Sequence, residues 1–159
     1  MRMWGKYLKV WVDADSCPGV IRDILVKAAQ GRKVEMEFVA NHHFQLPPSP
    51  YLTWRRVPQG ADVADQEIVA RSVAGDLVIA SDLPMANDLI AKGVQVLTHR
   101  GEILTKENIK TRLNLRDFYE TMRASGIQSG GQATFSQTDR REFANALDRA
   151  LTAALRGSK

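Results

Sequence analysis

The stretch Val10-Trp11-Val12-Asp13-Ala14-Asp15-Ser16-Cys17-Pro18 passes abruptly from apolar to acidic residues and then meets a proline. An apolar run that stops on two carboxylates reads as a buried strand delivering acids to its exit. In open α/β sheets that exit is where ligands bind. Two carboxylates drawn to ~4 Å repel by roughly 4 kcal/mol at an effective dielectric of about 20. If Asp13 and Asp15 meet, a proton or a cation must relieve them. The competing reading has both acids pointing into water and capping the next helix.

Outward from this stretch, short apolar runs alternate with helical patterns. Tyr7–Val12 reads as a strand and Val20–Ala29 as a helix, opened at Pro18 with Cys17 as its cap and closed by Gly31. Val34–Val39 alternates like a strand, and Leu52–Val57 reads as a short edge strand. Between them Pro47, Pro48 and Pro50 forbid regular pairing, so 41–51 is a loop. Asp62–Val73 is helical, Leu77–Ala80 a short apolar strand, Pro84–Ala91 a helix and Val94–Leu97 a strand. Strands alternating with helices predict βαβ units and a parallel sheet.

The last third changes character. Thr105 caps a helix carrying Ile109 and Leu113, and Asn114 with Asp117 is expected to restart it. Residues 125–134 read as a Gly/Ser/Gln loop. Ser136 and Asp139 form a weak capping box, followed by Phe143, Leu147, Leu151 and Leu155 at spacing four. These helices are expected to pack on the sheet edge, so that residues 1–159 form one domain with 105–156 as its helical part.

Composition narrows the function classes. The 159 residues carry a net charge of +4. Through Thr98 there are 11 basic and 11 acidic residues; from His99 onward there are 11 and 7. All of the basic excess therefore lies in the last third, which suits a polyanionic partner. One cysteine excludes an internal disulfide and points to a reducing, cytoplasmic setting. No apolar run approaches the ~20 residues that cross a bilayer, and no signal-peptide pattern opens the chain. Oligomeric state is not legible.

Further acids repeat the opening logic. Asp82 stands just past Leu77–Ala80, as Asp13 stands past its strand. If these strands are neighbours where strand order reverses, their exits form the crevice. Asp62 and Asp65 share a helix face that should look at the sheet, although helix N-termini attract acids anyway, at about 0.3–1 kcal/mol each. Asp88 is a weaker candidate. A cluster of Asp13, Asp15, Asp62, Asp65 and Asp82 is a hard-oxygen site suited to Mg²⁺ or Mn²⁺. Arg100, Arg123, Arg140 and Arg141, the last three flanking Gly130-Gly131, are candidates for holding a nucleic-acid backbone. Adjacent His42 and His43 lack zinc-ligand spacing. Trp54 beside Arg55-Arg56 offers stacking plus charge for a single strand.

Several segments together carry a family resemblance. These are 12–18, Val39-Ala40-Asn41, Pro47-Pro48-Ser49, Val57-Pro58-Gln59-Gly60-Ala61-Asp62-Val63-Ala64-Asp65, 75–79, Arg100-Gly101, Arg116-Asp117-Phe118 and Gly130-Gly131. The chain resembles the YaiI/YqxD family, also called UPF0178 or DUF188, which is similar to PIN-like domains. That likeness implies a three-layer Rossmann-like, PIN-like, mostly parallel sheet with extra C-terminal helices. It also implies a metal-dependent nuclease with acids at Asp13, Asp65 and Asp82.

The expectation is thus phosphodiester hydrolysis, with RNA ahead of DNA. Asp13 and Asp82 would be the principal ligands, and Asp15, Asp62 and Asp65 would act through water. Two competitors stand beside it. One is a haloacid-dehalogenase-type phosphatase using Asp13 and Asp15. The other is a non-catalytic nucleic-acid-binding module with a degenerate site.

Overall fold

The computed structural model describes residues 8–42, 45–60, 62–124 and 137–156, without the side chains of 119, 123, 124 and 156. β1 (Lys9–Asp13) lies at the centre of a six-stranded sheet. On one side it pairs in parallel with β2 (Glu35–Ala40), which carries the edge strand β3 (Leu52–Arg56). On the other side it pairs in parallel with β4 (Leu77–Ile79), and β4 with β5 (Gln95–Leu97). A two-residue strand, β6 (Ile103–Leu104), closes that edge antiparallel. The order β3-β2-β1-β4-β5-β6 makes β1 and β4 the neighbours at which strand order reverses. The α/β, mostly parallel, Rossmann-like or PIN-like expectation holds, and the antiparallel β6 is an addition to it.

Alternation along β1 separates two cores. Val10 and Val12 face one layer with Met36, Phe38, Leu77 and Ile79. Helix α1 (Gly19–Arg32) covers it with Ile21, Leu25 and Ala29, spaced one turn apart. Trp11 faces the other layer with Val39, Val78 and Val96. There α2 (Val63–Arg71) contributes Ala64 and Ile68, and α3 (Leu83–Ala91) contributes Met85, Ala86 and Leu89. Strands buried on both faces read as continuous apolar runs, which is why 77–80 lacks alternation.

Several local expectations need correction. Helix α1 does not stop at Gly31. It runs on to Arg32 and turns at Lys33, whose left-handed backbone (φ 57°) sends its N–H to the Ala29 carbonyl. Cys17 is not its cap; Pro18 holds that position and no side chain bonds to the helix there. Asn114 does not restart a helix, because α4 (Lys106–Ala124) is continuous. An interior asparagine costs well under about 1 kcal/mol relative to alanine, too little to break a helix anchored by buried Ile109. Thr105 does cap α4, reciprocally with Asn108: its Oγ1 accepts from the Asn108 N–H at 3.2 Å, and its own N–H donates to Asn108 Oδ1 at 2.8 Å.

The last two helices pack onto the two layers that flank the sheet. Helix α4 packs beside α3, while α5 (Gln137–Arg156) packs beside α1. Phe143, Leu147 and Leu151 enter the α1-side core, and Leu155 is exposed. The helices thereby widen the two outer layers. Ser136 and the 125–134 loop lie outside the described residues. No helix among the described residues is long and apolar enough to cross a membrane.

Candidate functional site

The acids meet at the carboxyl end of the sheet. Asp13 ends β1 on the α2 side and is only 5% exposed. Asp82 follows β4 and caps α3, accepting from the Met85 N–H at 2.9 Å. Asp62 precedes α2 in a left-handed conformation (φ 64°), and Asp65 lies in that helix's first turn. One carboxylate oxygen from each of Asp62, Asp65 and Asp82 lies within 4.8 Å of the others. Asp13 joins the ring from its buried side through a side-chain hydrogen bond with Asp65. A cleft of 1110 Å³ opens over them, lined also by His99, Arg112 and Arg116.

Magnitudes decide what this crowding demands. Helix N-termini at Asp65 and Asp82 each favour a carboxylate by about 0.3–1 kcal/mol. Like charges at such separations repel by roughly 3–4 kcal/mol per pair at an effective dielectric of about 20. Repulsion outweighs the helix dipoles, so a proton or a cation must relieve the ring. Without a cation the proton goes to Asp65. Burial first, then the charges of Asp13, Asp82 and Asp62, push its carboxyl up to about 7. Asp13 is raised too, chiefly by burial, while the hydrogen bond donated by Ser16 Oγ at 2.8 Å pulls the other way.

Asp15 takes a different course. Its carboxylate accepts from the Asn41 N–H at 2.9 and 3.1 Å and pairs with His42 Nδ1 at 2.6 Å. It lines the cleft but ties the β1 exit to the β2 exit. Asp13 and Asp15 thus have separate partners, although both line the cleft. Asp76 sits at the opposite end of β4, fully buried, accepting from Trp11 Nε1 at 3.0 Å and the Val73 N–H at 2.9 Å. The Cys17 thiol is half-buried, and burial pushes it up to about 12, with Arg22 offsetting only part of that.

The basic candidates disperse. Arg100 lines the cleft and pairs with Asp139 at 2.8 Å. Arg140 and Arg141 lie exposed in the first turns of α5. The Arg123 side chain, Gly130-Gly131 and His43 lie outside the described residues. Arg55 is held by buried Glu37, and Trp54 is half-buried on the edge strand.

His99, Arg112 and Arg116 line the cleft and were not among the residues the sequence pointed to. His99 follows β5, is 6% exposed, and its Nε2 has no hydrogen-bond partner among the described residues. Its N–H donates to Ser81 Oγ at 3.1 Å, tying the β5 and β4 exits together. Burial alone drives its imidazole down to about 4, so it is neutral at pH 7. The signal was the same as for Asp13: a polar residue just past an apolar strand. Arg112 and Arg116 carried no such signal, because only the α4–α3 packing brings them over the acids.

A family model described as "Uncharacterized BCR, YaiI/YqxD family" matches residues 11–153. A UPF0178 protein of Colwellia psychrerythraea is 56% identical over 145 residues, covering 91% of this chain and 96% of that protein. One from Vibrio atlanticus is 58% identical over 144 residues, with 91% and 98% covered. One from Shewanella amazonensis is 55% identical over 144 residues, with 91% and 97% covered. No solved structure matches.

Proposed function

This chain belongs to the YaiI/YqxD family, and from that premise and its own acids we propose a divalent-metal-dependent phosphodiester hydrolase acting on RNA. The observation that carries the reading is the ring of Asp62, Asp65 and Asp82 within 4.8 Å, at the reversal point of the sheet.

The donor set fits a hard cation. It is all carboxylate, solvent-accessible on the cleft side, and strained by like charge when empty of protons. Asp62, Asp65 and Asp82 would hold Mg²⁺ or Mn²⁺, with Asp13 behind them on the buried side. Such an ion supplies a bound water of lowered pKa and neutralises charge on a phosphodiester. The chain's residues do the rest. Ser16 fixes the Asp13 carboxylate. The Met85 N–H fixes Asp82. Asp15 acts through position, holding the β1–α1 turn against Asn41. Arg100, Arg112 and Arg116 line the same cleft as the acids.

The test is cleavage of labelled RNA and DNA, single- and double-stranded, with Mg²⁺ or Mn²⁺. Activity should fall by at least about 100-fold in Asp13→Asn and Asp82→Asn, as expected for loss of groups that place charge in the transition state. A wild-type protein inert on every such substrate with both metals would overturn the reading. Salt-dependent RNA binding untouched by these variants would favour the binding-module alternative.

A further inference from the structure

Two grooves meet at the acid ring. The cleft of 1110 Å³ runs over the β1, β4 and β5 exits. A second groove of 460 Å³ continues beyond it, past Gln66, Val69 and Asp88 between α2 and α3. The residues common to both are Asp62, Asp65, Asp82 and Arg116. Three carboxylates and a single arginine therefore line the junction.

Arg116 differs from its neighbour on α4. Arg112 is held by Glu102, with its Nε 2.9 and 3.0 Å from the two carboxylate oxygens. Among the described residues Arg116 pairs with Glu120, one turn on, at 3.4 Å, and both side chains are well exposed. Such an exposed pair is worth little, about 0.3–0.5 kcal/mol, and yields readily to a phosphate. Leu115 lines the cleft beside Arg116 and is 41% exposed; Phe118, nearly one turn further along α4, is 55% exposed.

We propose that the substrate is a single-stranded polynucleotide running through both grooves, with Arg116 holding the phosphate that crosses the acid ring. This rests on the nuclease reading and adds to it the form of the substrate. A blind pocket would suit a nucleotide monomer. Grooves that continue on both sides of the acids leave room for chain before and after the bond to be cut. A single strand also has bases to lay on the exposed Leu115 that lines the cleft, whereas a duplex keeps its bases turned inward. Arg112, fixed by Glu102, shapes the cleft wall and leaves the mobile cation's role to Arg116.

The experiment is fluorescence anisotropy on the full chain with a short 5′-labelled RNA in Ca²⁺, its integrity checked on a gel. Arg116→Ala should weaken binding about tenfold and lower the slope of log K against log salt by about 0.7, one phosphate contact on a single strand. Arg116→Lys should restore the slope, which separates lost charge from a damaged fold. The matched duplex should bind more weakly, and a mononucleotide should fail to displace the strand. An unchanged slope in Arg116→Ala, or displacement by mononucleotide at equal nucleotide concentration, would overturn the proposal. The two readings fail separately. Strand binding that depends on Arg116 without cleavage in Mg²⁺ or Mn²⁺ refutes only the nuclease. Cleavage with an unchanged Arg116→Ala slope refutes only the strand track.

Discussion

Asp65 carries the proton that the acid ring needs when no cation is present. Its carboxyl titrates near 7 in the fold against 3.8 for an unperturbed aspartate. Between those values the folded chain keeps a proton that the unfolded chain has released. The stability this brings is whole below about pH 4 and is lost as pH rises through about 7. Asp65→Asn should therefore be the more stable protein at pH 8 without divalent metal. After discounting for its partial exposure the gain is about 1–2 kcal/mol, roughly 2–8 °C in melting temperature. His99 has the opposite sign. Its folded value near 4 lies below the usual 6.5, so its contribution is whole above pH 6.5 and is lost as pH falls through about 4. In the wild type the two slopes oppose each other; Asp65→Asn removes the aspartate's share and keeps the histidine's. Melting curves in chelator at pH 4, 6 and 8 should show the variant's advantage shrinking as pH falls. A variant less stable than wild type at pH 8 would contradict this account.

At the scale of elements, the β5–β6 turn and α5 hold each other. Gly101 turns the chain at φ 86°, and a Cβ there would stand 2.8 Å from the Glu142 carbonyl oxygen, in the backbone of α5. The next residue, Phe143, is fully buried in the α1-side core. Phe143→Ala should cost about 3–5 kcal/mol through lost burial and cavity. Gly101→Ala should cost about 1–3 kcal/mol, through left-handed strain and displaced α5 backbone. Chemical denaturation should show both losses, with hydrogen exchange in α5 accelerated in each variant; Gly101→Ala at wild-type stability would refute the close approach. The helix behind this contact was legible as the stripe Phe143, Leu147, Leu151, and so was each parallel strand, because apolar runs bounded by turn residues have few other uses. Asp13 and Asp82 were legible by the same logic at their exits. What the sequence concealed was not local. Strand β6 is two residues long and exists only because β5 pairs with it. Asp15 looked equivalent to Asp13, yet β1 ends at Asp13 and the Asn41 N–H holds Asp15 at the β2 exit. Arg112 and Arg116 reach the acids only through the docking of one helix on another.

Taken whole, the molecule brings acids from the β1 and β4 exits and the α2 N-terminus to one point and leaves them mutually repelled. That arrangement makes cation binding and fold stability one equilibrium. An ion that binds only the folded chain stabilises it by RT ln(1 + [L]/Kd), about 2.7 kcal/mol at a hundredfold excess over Kd. For a chain of this size that is roughly 5–10 °C in melting temperature. Mn²⁺ and Mg²⁺ should therefore raise the melting temperature in a saturable way. The rise should be larger at pH 8 than at pH 6, because below about 7 the ion must displace the Asp65 proton. Asp82→Asn should lose most of the rise by removing one member of the ring. Asp15→Asn should keep it, since that carboxylate is already held by Asn41 and His42. Differential scanning calorimetry on the three proteins at both pH values separates these outcomes. A rise that survives in Asp82→Asn but vanishes in Asp15→Asn would relocate the ion to the β2 side of the cleft. No rise with either metal at either pH would leave the proton as the acids' sole relief.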